Sequence, residues 1–135
     1  MGATRPLPHL DSVNRFFWTS GESGELKFLR CGDCQEFTHP PRPFCRHCLS
    51  ENVVPETVPG TGVVDTFTVN HQKWHPAMEV PCVIARVAID GAPGVYLTSN
   101  IVGCPVDDVD VGDRVQVTFE QQEDVFIPLF EKIGG

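Results

Sequence analysis

The sequence predicts a mainly-β protein made of a short N-terminal helix, a metal-bound ribbon and a five-stranded β-barrel. Two Cys-x-x-Cys motifs lie ten residues apart in the N-terminal half, and five short segments with alternating apolar and polar residues lie in the C-terminal half. The 135 residues also include 12 prolines and 12 glycines, which favour short strands joined by turns over long helices. We place the three parts at residues 1–24, 25–58 and 59–135.

The N-terminal helix is predicted from two capping residues followed by an apolar run. Asp11 and Ser12 are residue types that accept hydrogen bonds from the first backbone N–H groups of a helix, and they precede a predicted helix over 13–18. The helix ends in three aromatic residues, Phe16, Phe17 and Trp18. So short a helix cannot bury three large rings against itself. The rings therefore either plug the neighbouring domain or anchor a partner protein.

The two Cys-x-x-Cys motifs predict a tetrahedral metal site. Two thiolates at this spacing on a tight turn can bind one metal ion, and a second pair completes the ligand set. The ligands are Cys31, Cys34, Cys45 and Cys48. Zinc is favoured over iron because the loop between the motifs is short. Metal binding would supply much of the folding free energy of so small a ribbon.

Other cysteines, histidines and arginines have weaker predicted roles. Arg30, Arg42 and Arg46 lie close enough in sequence to offset the negative charge of four thiolates around Zn²⁺. The two histidines of the ribbon, His39 and His47, are expected at the surface or beside the ligands. The isolated cysteines, Cys82 and Cys104, are expected to be small buried hydrophobic residues.

Five segments predict the strands of the barrel. They span residues 62–69, 83–89, 95–101, 114–120 and 126–130. The inward side chains of the first four are Val63, Phe67 and Val69; Val83, Ala85, Val87 and Ile89; Val95, Leu97 and Ile101; and Val115, Val117 and Phe119. Five strands with a longer connection between the third and fourth fit a Greek-key barrel of OB type. Pro128 indicates that the fifth strand lies at an edge or a barrel corner.

The connection after the first barrel strand carries residues suited to recognition. It contains His71, Lys73, Trp74 and His75. The corresponding loop of an OB barrel commonly frames the binding face. Pro76 opposes the helix that would let the two histidines bind one metal ion. The loop is therefore predicted to be either a polar recognition loop or a solvated connection.

Charge and motifs narrow the function classes. The net charge is −8, and residues 49–135 carry four basic against thirteen acidic residues. A barrel that binds single-stranded nucleic acid needs a positive groove with stacking aromatic residues, so this alternative is disfavoured. No nucleophile elbow, phosphate-binding loop or dinucleotide fingerprint occurs, so no catalysis by the chain alone is expected. A small iron redox protein is the other alternative, which a red preparation would reveal.

Targeting signals are also not expected. No apolar stretch approaches the roughly 18 residues of a membrane span, and residues 1–6 lack the apolar core of a signal peptide. The sequence therefore predicts a cytoplasmic protein without membrane contact.

Several longer motifs extend over nearly the whole chain. They are NRFFW at 14–18, GEL at 24–26, FTHPPRPF at 37–44, GTGVV at 60–64, NIVGC at 100–104 and VGDRV at 111–115, with a late Pro128-x-Phe130. Together with the cysteines, they resemble a family that pairs an N-terminal helix, a rubredoxin-like zinc ribbon and a C-terminal OB fold. That family was long catalogued as a domain of unknown function.

The resemblance implies an accessory subunit for a thiolase-superfamily enzyme that acts on acyl-CoA thioesters. Some members partner archaeal acetyl-CoA thiolase and hydroxymethylglutaryl-CoA synthase, and others partner thiolase-like aldolases that cleave steroid side chains by retro-aldol chemistry. It also implies structural Zn²⁺, a hetero-oligomer, and a setting in lipid metabolism such as steroid degradation. On this basis the residues expected to face partner or substrate are Phe16, Phe17, Trp18, Arg42, Arg46, His71, Lys73, Trp74 and His75. Arg42 or Arg46 would meet CoA phosphates, and the loop 71–75 would border the partner's substrate entrance.

Overall fold

The computed structural model describes residues 8–73 and 79–133. In chain order the elements are α1 (Arg15–Thr19), a 3₁₀ turn (Ser20–Ser23), β1 (Leu26–Cys31), β2 (Phe37–Thr38), β3 (Val53–Val58), β4 (Thr61–Asn70), β5 (Cys82–Ile89), β6 (Tyr96–Val102), a second 3₁₀ turn (Val106–Asp108), β7 (Arg114–Gln122) and β8 (Val125–Lys132). Within these ranges no helix is long and apolar enough to cross a membrane.

The strands form two sheets. The first is a three-stranded antiparallel sheet in the order β2-β1-β3, with Cys31 of β1 opposite Val53 of β3. The second is a closed five-stranded barrel in the order β4-β5-β6-β8-β7. The predicted fold class, a zinc-ribbon region followed by a five-stranded OB-type barrel, is confirmed.

The barrel is closed through one short parallel contact. β6 and β8 pair only at Ile101 with Phe130 and at Val102 with Glu131, whereas β7 and β8 pair antiparallel along their whole length. Before this contact the two strands diverge, and the Ser99 hydroxyl donates a hydrogen bond of 2.7 Å to the carbonyl oxygen of Pro128 across the gap. Pro128 therefore lies where β8 leaves β6, in agreement with the corner predicted for it.

The inward face predicted for β4 is wrong at its start. Val64, not Val63, is fully buried in the barrel core. The register between β4 and β5 shifts between Val64 and Thr66, which indicates a β-bulge at Asp65. A bulge inserts one extra residue and reverses the alternation, so the predicted face holds only after it, at Phe67 and Val69.

The N-terminal helix begins two residues later than predicted. Its first residue is Arg15. The Asp11 carboxylate accepts 2.8 Å hydrogen bonds from the backbone N–H groups of Val13 and Asn14 and so caps the turn that precedes the helix. The chain then continues past Thr19 as a 3₁₀ turn through Ser23 instead of stopping there. Gly24, with φ of 76°, ends this turn in the left-handed conformation that glycine adopts without strain.

The helix plugs one continuous apolar core. Phe17 is 3% exposed and belongs to the same buried cluster as Phe28 of β1 and Phe130 of β8. The 3₁₀ turn packs tightly on the barrel, since a Cβ at Gly21 would lie 2.5 Å from the Cβ of Phe126. Two interpretations were offered for the three aromatic residues, packing into the neighbouring domain or anchoring a partner. The first applies to Phe17, whose ring is buried and not free to face a partner.

Candidate metal centre and barrel groove

The four predicted ligands come together where the ribbon sheet meets two tight turns. Cys31 ends β1, and the turn that follows brings Cys34 back beside it, closed by a 2.9 Å bond from Gln35 N–H to Cys31 C=O. The second turn repeats this bond between Leu49 N–H and Cys45 C=O. Gln35 and Leu49 both adopt positive φ, at 68° and 64°. Equivalent backbone turns therefore present the two pairs of thiols to one point.

The geometry of the thiols fits a tetrahedral zinc ion. All four Sγ atoms lie within 4.8 Å of one another. The Sγ atoms of Cys31 and Cys48 are 3.6 Å apart, as are those of Cys34 and Cys45. Four ligands at the usual Zn–S distance of about 2.3 Å in tetrahedral geometry would be about 3.8 Å apart. A set of four thiolates closes the coordination sphere, which is typical of a structural site.

Backbone N–H groups prepare the inner thiols to bind as thiolates. The N–H groups of Cys48 and His47 point at the Cys45 sulfur and lower the pKa of that thiol to about 6. The N–H groups of Cys34 and Asp33 lower the pKa of Cys31 in the same way. A metal ion binds the deprotonated form, so these donors favour metal binding near neutral pH.

The second turn forms an exposed basic tip. Residues 37–50 contain no acidic residue, and Phe44, Arg42, Arg46 and Leu49 are exposed there. Arg46 is not free, because its guanidinium donates to the carbonyl oxygens of His39 and Gly94 and to the His47 ring. Arg42 makes no hydrogen bond or ion pair with the residues that the structure describes. Arg30, by contrast, forms an ion pair of 3.0 Å with Glu56, and its charge is therefore used within the ribbon sheet.

His39 lies between the ribbon and the helix instead of at the metal. Its ring centroid is 5.0 Å from that of Phe17 and 4.9 Å from that of Phe28, and the buried Nδ1 has no hydrogen-bond partner among the described residues. Burial and the nearby Arg46 guanidinium lower the pKa of His39 to about 4. The imidazole is therefore neutral in the folded protein at pH 7.

The His39→Phe variant is expected to be less sensitive to acid than the wild-type chain. The unfolded chain takes up a proton at His39 as pH falls below about 6.5, whereas the folded chain does so only near pH 4. His39 thus contributes stability that is complete above pH 6.5 and lost as pH falls towards 4, by up to about 3 kcal/mol. Phenylalanine keeps the aromatic contacts and removes the buried Nδ1 atom that lacks a hydrogen-bond partner. Urea unfolding of both proteins between pH 7 and pH 4 measures how the free energy of unfolding depends on pH. The same pH dependence in the two proteins would contradict the assignment. The acid sensitivity of the metal site is the same in both proteins, so it cancels when their unfolding free energies are compared.

The predicted recognition loop lies far from the basic tip. His71 and Lys73 are exposed directly after Asn70, which pairs with Cys82 at the start of β5. Trp74 and His75 lie outside the described residues. Arg46 contacts Gly94, in the turn at the other end of the β5–β6 hairpin. β5 has eight residues, and seven steps of about 3.3 Å place its two ends about 23 Å apart. His71, at the Cys82 end, is therefore well separated from the basic tip at the other end.

The structure also contains a groove that the sequence did not reveal. It has a volume of about 1050 Å³ and lies over the gap where β6 and β8 diverge. Trp18, Ile84, Val102, Val106 and Leu129 supply much of its apolar lining. Both isolated cysteines, Cys82 and Cys104, also line it and are only partly buried, so the prediction that they are buried is wrong, although Cys104 packs against the core. Their positions, at the start of β5 and just after β6, were the signal that could have indicated a shared surface.

The helical aromatic residues divide between core and groove. Phe17 is buried, Phe16 is half-buried against the core, and Trp18 packs edge-on against Phe17 with ring centroids 4.9 Å apart. Trp18 is the one of the three that lines the groove. It therefore remains available to face a partner.

Two family models match successive parts of the chain. Residues 18–54 match the model described as the rubredoxin-like zinc ribbon domain of ChsH2, and residues 55–120 match its C-terminal OB-fold domain. Together the matches include the four cysteines and most of the barrel. The chain belongs to the ChsH2 family, also known as DUF35. The resemblance found from the motifs is confirmed, and the four thiolates are assigned as the structural zinc site of the ribbon.

Curated relatives of this ChsH2-family chain have different names. It is 33% identical over 129 residues to a probable enoyl-CoA hydratase alpha subunit of Thermomonospora curvata. The match covers 95% of this chain but 40% of that protein. It is 27% identical over 94 residues to a DUF35 domain-containing scaffold protein of Methanothermobacter thermautotrophicus, covering 68% of this chain and 69% of the relative.

Solved structures agree with this assignment. A chain of the Ltp2-ChsH2(DUF35) aldolase superposes with a TM-score of 0.84 at 29% identity, covering 95% of this chain and 100% of that one. A DUF35-family protein of unknown function from Sulfolobus solfataricus superposes with a TM-score of 0.60 at 18% identity, over 86% and 81% of the two chains. The second match shows the fold alone, whereas the first covers helix, ribbon and barrel together.

Proposed function

We propose that this chain is a non-catalytic accessory subunit that docks on a thiolase-superfamily enzyme acting on acyl-CoA thioesters. The observation that carries the proposal is the match to the ChsH2-type chain of an aldolase over almost the full length of both chains. The scaffold proteins among the curated relatives support the same role. A docking subunit needs rigid surfaces more than reactive groups.

The chemistry of the chain supports a structural rather than a catalytic role. In residues 8–73 and 79–133 the four cysteines are the one cluster with metal-binding geometry, and their thiolates fill all four positions around zinc. Zinc bound in this way holds the ribbon together and leaves no position for substrate. The reaction would therefore take place on the partner, and we propose retro-aldol cleavage of a steroid-CoA side chain as that reaction.

The basic tip is the proposed contact for the CoA phosphates. Arg42 is exposed and has no acidic partner among the described residues, in a chain with a net charge of −8. An unpaired guanidinium is well suited to bidentate binding of phosphate. Arg46 supports the tip by its bonds to His39 and Gly94. The loop that begins at His71 would contact the partner separately, at the other end of the barrel.

Co-expression with the thiolase-type subunit of the same organism tests the proposal. Native mass spectrometry is expected to show a zinc-loaded hetero-oligomer, and the partner is expected to cleave its acyl-CoA substrate faster with this chain than without it. Arg42→Ala is expected to raise KM for the acyl-CoA about tenfold without changing complex formation. Arg15→Ala is a matched control, because Arg15 is also an exposed arginine without an ion pair among the described residues. A chain that stays alone, or that binds single-stranded nucleic acid instead, would overturn the proposal.

A further inference from the structure

The groove over the β6–β8 gap is a feature that the zinc site and the basic tip do not explain. Its lining comes mainly from the β5–β6 and β7–β8 hairpins, and Trp18 of α1 contributes to it. The short contact between β6 and β8 causes it, since the strands pair at only two positions and separate before them. The groove is therefore built into the barrel by its strand pairing.

The lining combines apolar surface with a row of uncharged polar groups. The polar residues are Thr98, Ser99, Asn100, Thr118 and Gln122. The Ser99 hydroxyl and the Asn100 amide already donate to the carbonyl oxygens of Pro128 and Val83. A hydrocarbon chain in this groove would still remove the Thr98 and Thr118 hydroxyls from water without offering hydrogen bonds in return. A polypeptide segment offers both apolar side chains and backbone hydrogen-bonding groups. The lining therefore favours a polypeptide over the acyl chain of a substrate.

The charge of the groove is opposite to that of the ribbon tip. Glu79 and Glu120 line it, and none of the described lining residues is basic. The phosphates of CoA would be repelled here, so the groove cannot serve the anion that Arg42 is proposed to bind. A segment that carries lysine or arginine beside its apolar residues would match both charge and polarity.

We propose that this groove receives an apolar, basic-flanked segment of the partner enzyme, with Trp18 and Ile84 as the central contacts. The inference rests on the proposed function, because the partner is the enzyme named there. Tryptophan is one of the residue types at which binding energy concentrates in protein interfaces, and Trp18 and Ile84 both line the groove. The groove end near Cys82 also lies beside Asn70, which Cys82 pairs with and which directly precedes the exposed His71.

Two native thiols report directly on occupancy of the groove. Cys82 and Cys104 line it, whereas the other four cysteines form the cluster assigned to zinc. We expect iodoacetamide to alkylate Cys82 and Cys104 about tenfold or more slowly in the co-expressed complex than in the free chain. Peptide mass spectrometry measures each site. Thr66→Cys is the matched control, because Thr66 is exposed on β4 outside the groove and is expected to react equally in both states.

Charge reversal of the groove provides the second test. Ile84→Glu places a third carboxylate in the lining and is expected to weaken the complex about 30-fold or more, whereas Thr66→Glu is expected to leave it unchanged. Zinc content and thermal unfolding show that each variant is folded. Two results would overturn the proposed role of the groove while leaving the proposed function intact. One is a wild-type complex in which both thiols react at the rate of the free chain, and the other is normal binding of the Ile84→Glu variant. Absence of any complex with the wild-type chain would overturn both.

Discussion

Replacing Cys45 with serine is expected to unfold the zinc ribbon. Cys45 is fully buried, and its sulfur lies 3.6 Å from that of Cys34. Serine is not deprotonated at neutral pH and leaves three thiolates in a site built for four. Structural zinc sites of this kind contribute about 10–16 kcal/mol of binding free energy, which is available to folding. This exceeds the total stability of most small domains, so no other single substitution in the ribbon should have a larger effect.

The effect should be largest in the ribbon. The barrel has its own buried residues, with Val64, Val87, Val115 and Phe130 fully or almost fully inaccessible. We therefore expect Cys45→Ser to lose zinc and backbone hydrogen-exchange protection across β1 to β3, with a smaller loss across β4 to β8, because ribbon and barrel share one core. Zinc analysis and hydrogen exchange measure the two parts. Cys104→Ser is the control, since it removes a thiol outside the site and should retain one zinc per chain. A Cys45→Ser protein with zinc and a protected ribbon would show that the site is not the basis of the fold.

The features that the sequence predicted well depend on local patterns. Ligand spacing defines the metal site within two turns, and alternation over β5 placed Val83, Ala85, Val87 and Ile89 in the core, where all four are buried. Proline and glycine marked the β5–β6 turn, where Gly91 and Gly94 both have φ of 80°. Each of these signals is complete within about ten residues and does not require knowledge of a distant strand.

The features that were missed depend on pairing between distant residues. The bulge at Asp65 exists only relative to the β5 register, so nothing within β4 reveals it. The groove depends on how far β8 follows β6, a parallel contact between segments about thirty residues apart. The burial of His39 likewise requires Phe17 from the helix and Phe28 from the ribbon to meet. Long-range geometry of this kind leaves no periodic trace in the chain.

Replacing Phe28 with alanine is expected to cost about 3–5 kcal/mol of stability, a large effect for a single substitution outside the zinc site. Phe28 is completely buried in β1, and its ring contacts both Phe17 and His39. Its removal would leave a cavity between ribbon and helix that neither side can fill, because β1 is held by β3 and the helix is packed on β8. Urea unfolding at fixed free zinc measures the cost, since zinc concentration itself shifts the apparent stability.

Phe44→Ala is the matched control for this prediction. It makes the same chemical change in the same ribbon, but Phe44 is 37% exposed and next to a zinc ligand instead of in the core. We expect it to cost less than about 1 kcal/mol. If Phe28→Ala were equally mild, zinc alone would hold the ribbon and the helix would be an independent appendage. A large cost for Phe28→Ala with zinc still bound would instead show that helix, ribbon and barrel share one core, which is what a rigid docking subunit requires.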